Sequence, residues 1–243
     1  MNLFALILTR NSDQTVQKVI DKISKNKFHK IICSDDGSID KTEFIMKKNK
    51  IDFFKIKHSG YGGNLFNGLE VAFKMGATHV VEIHGDGQYI SNIDDVIVLL
   101  NKKADLILGN RFFKYTEPLL IHGMPFYIYI GNLFFSFIAR MGLNLSNRDL
   151  FAGFRVYSLN LFNIIKNKNL SKGYQFSFEI IALSKFYNLN IRSIDTICKY
   201  GKDTKTAPIF YTFQALYNII ITTLMYRFAK KNLLLGIFKN ENK

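Results

Sequence analysis

At 243 residues, the chain is long enough for one sizeable domain, with or without an appendage, and for a substantial core. Its 48% hydrophobic and 21% charged content excludes a disordered, collagenous or coiled-coil chain, and two cysteines, Cys33 and Cys198, exclude a disulfide scaffold and point to a reducing compartment. Lys and Arg outnumber Asp and Glu by 33 to 19, a formal net charge of +14, which favours phosphorylated small molecules, anionic lipid or nucleic acid as partners. Abundant Lys, Ile and Asn also fit AT-rich coding, so charge alone does not choose among them.

The apolar start, Met1 to Leu8, has no basic flank and no small-residue cleavage site, and it reads as a first strand rather than a signal peptide. Residues 3–9 have a buried-strand pattern, and residues 12–24 show helical spacing after a cap at Asn11 or Ser12. Residues 29–34 form a second expected strand, followed by the turn Asp35-Asp36-Gly37-Ser38 and a helix from about Lys41. A third strand is expected over 51–57, and Gly60-Tyr61-Gly62-Gly63 then opens a helix running to Met75. A fourth strand over 79–83 ends at His84-Gly85-Asp86-Gly87-Gln88. A helix over 94–102 and a fifth strand over 105–109 follow. This alternation predicts an α/β fold with a mainly parallel sheet, in which ligands sit at the carboxyl ends of the strands. Both aspartate turns fall at such ends.

The second half is less regular and richer in aromatics. Residues 118–139 and 206–226 contain no Asp, Glu, Lys or Arg, and each approaches the roughly 20 residues needed to cross a bilayer. His122, Pro125 and Asn132 interrupt the first; Pro208, Gln214 and Asn218 interrupt the second. Spanning helices and core helices are both open alternatives. The preferred reading is interfacial helices, because the second segment runs into Arg227, Lys230 and Lys231, cations suited to anionic lipid.

Taken singly, the motifs are ambiguous. Asp35 and Asp36 are adjacent carboxylates that need compensating donors, and a capped turn explains them as well as a ligand does. Asp86 between two glycines suits Mg²⁺, which keeps waters and takes few protein ligands. His84 is either a further ligand, useful for Mn²⁺, or a hydrogen-bonded structural residue. The glycine loop is not a dinucleotide fingerprint, since Leu65 stands where the third glycine belongs; a loop opening a helix beside an anion remains sensible. Arg155, in Gly153-Phe154-Arg155, either clamps a phosphate or pairs at the surface with Asp149.

Together and in order, these elements resemble the family 2 glycosyltransferases with the GT-A fold. The likeness is to the dolichol-phosphate mannosyltransferase-like, polyprenyl-phosphate branch. Gly60-Tyr61-Gly62-Gly63 with Gly68-Leu69, Gly109-Asn110-Arg111, Lys172-Gly173-Tyr174 to Glu179, and Tyr200 to Lys205 match that branch's blocks over about residues 3–205. The resemblance implies a GT-A catalytic domain over 1–205, with 206–243 as an amphipathic, membrane-associating segment. The first-strand motif keeps only Asn11, and the first acid of the usual Asp-x-Asp turn is replaced by His84. No tryptophan is present, so the processive-synthase motif is absent and a single transfer is expected.

The resemblance further implies an inverting transfer from a UDP- or GDP-linked sugar. Thr9, Asn11, Ser34, Asp36, Gly62, Gly63, Gly85, Gln88 and Arg111 would bind the donor nucleotide. Asp86 and His84 would hold Mg²⁺ or Mn²⁺. Arg155 and Lys205 would meet an acceptor phosphate, and Asp86, Asp149 and Arg155 would form the catalytic set. The expected acceptor is a polyprenyl phosphate at the cytosolic face of the membrane, already anionic and needing no base. The alternative is a glycan hydroxyl in surface polysaccharide assembly, with Asp149 as candidate base. A basic binding module is the competing non-enzymatic class, but no nucleic-acid recognition motif is present and no nucleic-acid partner is expected. Exposed aromatics over 126–137 also allow a homo-oligomer.

Overall fold

The computed structural model describes residues 1–114, 122–200 and 210–239. Seven strands form one sheet in the order β3-β2-β1-β4-β7-β6-β8. They are β1 (Leu3–Thr9), β2 (Lys30–Asp35), β3 (Asp52–Lys55), β4 (His79–His84), β6 (Leu106–Asn110), β7 (Arg155–Ser158) and β8 (Ile191–Asp195). A second, two-stranded sheet pairs β5 (Tyr89–Ile90) with β9 (Ile197–Cys198). Within the large sheet β7 alone runs antiparallel, against both β4 and β6, which makes β6 parallel to β4. The fold is the mixed, mostly parallel GT-A-type sheet flanked by helices.

Helices cover both faces. On one side lie α1 (Val16–Lys22), α2 (Thr42–Lys48) and α4 (Ile93–Asn101); on the other lie α3 (Tyr61–Lys74), α5 (Phe126–Leu143), α6 (Leu159–Ile165), α7 (Phe176–Phe186) and α8 (Phe210–Ala229). Helix α3 follows its pattern: Leu65, Leu69, Ala72 and Phe73 recur at helical spacing and are all buried. Helix α4 starts where Asn92 accepts from the Asp94 amide, with Asp94 and Asp95 in the first turn. Ser158 caps α6 in the same way, accepting from the Leu161 amide.

Each of the five expected strands forms. The strands that sequence patterning missed, β5, β7, β8 and β9, lie in the stretch after His84, where runs are short and polar residues are buried. The C-terminal segment is not detached from the core: Ile219, Tyr226, Ala229, Ile237 and Phe238 belong to the same buried cluster as Leu6, Leu65 and Leu108.

Strand order places the site. β1, β2 and β3 build outward on one side, and β4 returns to the other side of β1, so a crevice opens at the carboxyl ends of β1 and β4, where the strand order reverses. Leu8 is in register with His84, and Thr9 with Asp35. Because β7 is reversed, it begins at the edge where β1, β2, β4 and β6 end, which brings the Gly153-Phe154-Arg155 segment to the same rim.

Candidate active site

A cleft of about 1340 Å³ occupies that rim. Thr9 and Asn11 after β1, Asp36 after β2, His84 and Gln88 after β4, and Arg111 after β6 all line it. Tyr61 from α3 and the loop 171–175 form a further wall, and α5 and α8 close the far side with residues such as Asn132, Phe135, Gln214 and Asn218. Of the expected donor residues, Gly85, Gly62, Gly63 and Ser34 are not in this wall, nor is Asp86, which stands half-buried in the turn between His84 and Gln88.

The adjacent carboxylates divide their tasks. Asp35 is structural: it takes the Thr9 hydroxyl at 2.8 Å, the Ser38 hydroxyl at 2.5 Å and the Ser38 amide at 2.7 Å. Asp36, on the cleft side, accepts the Ser59 amide at 2.7 Å and the Gly60 amide at 3.2 Å, and pairs with His58 Nδ1 at 2.7 Å. These donors compensate the pair of charges and tie the loop after β3 to the cleft floor. Asn11 stays in the left-handed region at φ 48° while its Oδ1 accepts from the Ile39 amide. Ser34, an expected donor residue, is fully buried and bonds to Asn64, facing α3.

The second turn rests on a residue that patterning did not single out. Glu82, fully buried on β4, accepts the Tyr61 hydroxyl at 2.7 Å and the Tyr157 hydroxyl at 2.7 Å, and pairs with His84 Nε2 at 3.0 Å. Burial pushes its carboxyl up, but the hydrogen bond and charge of His84, with the charge of Arg155, leave it below the usual carboxylate range. Burial likewise opposes protonation of His84, yet its hydrogen bond to Glu82 and the charges of Glu82 and Asp86 raise it overall. Burial and the Glu82 charge hold Tyr61 and Tyr157 far above the phenol range, so both are hydroxyl donors. Asp86 Oδ1 accepts the Gln88 amide at 3.0 Å, which fixes the turn.

Two residues of the expected catalytic set are held inside the rim. Asp149 is fully buried and bidentate with Arg111: Nε to Oδ2 at 2.7 Å and Nη2 to Oδ1 at 2.9 Å, with the Arg111 amide at 3.1 Å and the Phe151 amide at 3.0 Å as further donors. With both oxygens occupied it is a positioning group for Arg111 and is not placed to act as a base. Burial opposes the Arg111 charge, but Asp149 more than restores it. Arg111 also donates to the Tyr200 hydroxyl at 3.2 Å and to Asn132 at 3.1 Å, so it faces the cleft from a fixed frame. Arg155 is neither a phosphate clamp nor a surface partner of Asp149. It is 1% exposed and donates to the carbonyls of Ala152, Ser177 and Leu150, cross-linking the rim from inside. Lys205 lies outside the described residues.

The glycines explain why two motifs travel together. A Cβ at Gly62 would stand 2.6 Å from Phe176 Cβ and 2.6 Å from the Ser171 carbonyl, and the Gly63 amide donates to the Lys172 carbonyl at 3.1 Å. Gly62 and Gly63 therefore dock α3 onto the Lys172-Gly173-Tyr174 loop as a packing joint. Gly85 packs likewise, since a Cβ there would stand 2.9 Å from the Leu8 carbonyl, and Gly153 seats against His84 and Tyr89. Gly62→Ala is expected to cost about 1–3 kcal/mol through forced displacement of this joint, read as a lowered urea midpoint with an unchanged slope.

The comparisons place this geometry among known proteins. The model described as "Glycosyl transferase family 2" matches residues 5–165. An uncharacterized protein of Methanocaldococcus jannaschii is 25% identical over 224 residues, covering 90% of this chain and 91% of that one. Among solved structures, glucosyl-3-phosphoglycerate synthase from Mycobacterium tuberculosis is similar. Its complex with Mn²⁺, UDP and glucosyl-3-phosphoglycerate superposes with a TM-score of 0.63 at 17% identity, covering 93% of this chain and 79% of that one. Its complex with phosphoglyceric acid gives 0.64 at 16% identity over the same shares.

Proposed function

This chain belongs to glycosyl transferase family 2, and from that premise we propose that it moves one sugar from a UDP- or GDP-linked donor to a polyprenyl phosphate at the cytosolic face of a membrane. The observation that carries this reading is a cationic cleft continuous with an apolar groove. Among the described residues of the cleft wall, Asp36 is the one carboxylate, against Arg10, Arg111 and Lys172. Such a wall suits an acceptor that arrives as an anion and needs no base. Tyr127, Gly131 and Phe135 belong both to this wall and to an adjoining groove of about 450 Å³ between α5 and α8, otherwise lined by apolar side chains.

That groove sits on a wide apolar face. Phe126, Ile130, Phe134, Phe137 and Met141 of α5, and Phe213, Tyr217, Ile220, Leu224 and Phe228 of α8, are all exposed at helical spacing. By length and composition Phe126–Leu143 is also able to cross a membrane, and 17% of it is buried. Arg227, Lys230 and Lys231 end the α8 stripe, as an anionic interface would favour.

The donor set fits a divalent cation. Asp86 is a half-buried carboxylate on a fixed turn, and no group of three His, Cys, Asp or Glu gathers among the described residues, so most ligands would come from the diphosphate and water, as Mg²⁺ and Mn²⁺ accept. The similar mycobacterial synthase binds Mn²⁺ or Mg²⁺ with UDP. When bound, such an ion neutralises the charge that grows on the leaving diphosphate. The chain's own residues would do the rest: Asp86 would hold the ion, Asp36 with the Ser59 and Gly60 amides would frame the nucleoside end, and Arg111 would offer a preorganised cation to phosphate. Attack is in line and inverts the anomeric carbon.

The test is transfer of labelled sugar from UDP-glucose or GDP-mannose, with Mn²⁺, to undecaprenyl phosphate against a soluble glycan. A chloroform-soluble, acid-labile product with the lipid alone supports the proposal; transfer to the glycan without lipid overturns it. For the membrane face, Phe134→Ser with Phe213→Ser is expected to weaken binding to anionic vesicles at least tenfold, since each phenylalanine side chain contributes about 1.5–3 kcal/mol when buried. If the face pairs two copies instead, sedimentation reports a dimer and vesicle binding is unaffected.

A further inference from the structure

Glu82 has no place in the roles assigned above, yet it is a fully buried carboxylate beneath the cleft floor. Burying such a charge is costly unless every oxygen is satisfied, and here Tyr61, Tyr157 and His84 satisfy it. Two of those three partners, Tyr61 and His84, line the cleft. Residues 82 and 84 share one face of β4, so the carboxylate lies directly behind the histidine. An ionised carboxylate only accepts hydrogen bonds, so the His84 nitrogen facing it, Nε2, carries the proton. His84 Nδ1 takes no partner among the described residues.

Building on the donor-site reading above, we propose that Glu82 is the positioning residue of the donor site. It holds His84 in the Nε2–H form and leaves Nδ1 as the lone-pair nitrogen for a divalent cation beside Asp86. The acid missing from the first position of the turn is thereby replaced by a histidine backed by an acid two residues earlier. A carboxylate behind a ligating imidazole fixes its tautomer and raises its basicity. Tyr61, on the same carboxylate and stacked on Tyr174 with ring centroids 5.5 Å apart, is fixed by the same group.

The test uses the whole protein with Mn²⁺ and UDP in nitrogen-free buffer, read by electron spin-echo modulation from imidazole nitrogen and by Mn²⁺ affinity. Imidazole coupling is expected in the unmodified protein and absent in His84→Gln. Glu82→Gln keeps an accepting oxygen for Nε2–H but removes the charge behind the imidazole, and is expected to weaken Mn²⁺ affinity about 10–100-fold. Tyr157→Phe, which strips one donor from Glu82 away from the cleft, is expected to lower the melting temperature while coupling and affinity persist. If Glu82→Gln does not fold, Glu82→Asp, which keeps the charge but withdraws it by one methylene, is expected to show the weakened affinity. Bound Mn²⁺–UDP without nitrogen coupling overturns this proposal and leaves the donor site standing. Equal losses in Tyr157→Phe and the Glu82 variants overturn it as well. Absence of any Mn²⁺–UDP binding overturns the donor site itself and this proposal with it.

Discussion

Replacing Arg111 with alanine is expected to destabilise the protein by about 3–5 kcal/mol, the cost of leaving a buried charge without its partner. Asp149 is fully buried and takes three of its four hydrogen bonds from Arg111. The substitution leaves only the two backbone amides to hold that charge, while Tyr200 and Asn132 lose a donor each. For a chain of this size each kcal/mol moves the melting temperature by roughly 2–4 °C, so calorimetry should find a drop of about 6–20 °C. Asp149→Asn strands the guanidinium instead and is expected to fall in the same range, with the double variant costing less than the sum. Kinetics separate this role from that of a base. A general base lost from a sound fold removes about 10²–10⁴ in rate with little change in melting; Asp149→Asn with unchanged melting and that loss of rate would restore the hydroxyl-acceptor mechanism.

The ease of reading the first 110 residues and the difficulty of the rest have a common physical cause. β1 is buried on both faces, so Leu3 to Leu8 appears as a continuous apolar run that can be little else. β7 is four residues long and begins with an arginine whose charge is absorbed by three carbonyls inside the fold. Nothing local separates it from a loop, and Arg155 therefore looked like a ligand clamp. The same holds for Asp149: a carboxylate before Gly-Phe-Arg announces chemistry, and only the return of the chain shows that Arg111, 38 residues earlier, has claimed it. Glu82 escaped for the opposite reason. In His79-Val80-Val81-Glu82-Ile83-His84 it reads as the polar tooth of an alternating strand, and its partners Tyr61 and Tyr157 lie 21 and 75 residues away. Asp36 and Asp86 were legible because each sits on a turn at the end of a strong apolar strand, where topology alone determines which way a ligand must lie. The two charge-free segments were legible as apolar, and their exposed stripes emerge only once α5 and α8 lie side by side.

Asp86→Asn is expected to abolish donor binding without disturbing the fold. Asparagine keeps an oxygen for the Gln88 amide, so the turn that Asp86 Oδ1 fixes at 3.0 Å is retained, and the melting temperature of the free protein should hardly move. What is lost is the carboxylate charge that would anchor a divalent ion against the diphosphate. In the unmodified protein, UDP or GDP with Mn²⁺ at about 100 times its dissociation constant adds roughly 2.7 kcal/mol, a rise of about 5–10 °C for a chain of this length. That rise should disappear in Asp86→Asn and on adding a chelator, and it should be seen with one nucleoside diphosphate and not the other, which identifies the base of the donor. Turnover should fall by about 10²–10³, the loss that follows removal of one preorganised stabiliser of developing charge. A metal-dependent rise that persists in Asp86→Asn would move the ion to other ligands and separate the turn after β4 from the chemistry. A rise that persists in the chelator, with or without the substitution, would instead assign the diphosphate to the cations of the cleft, Arg10, Arg111 and Lys172, whose field would then carry the leaving group unaided.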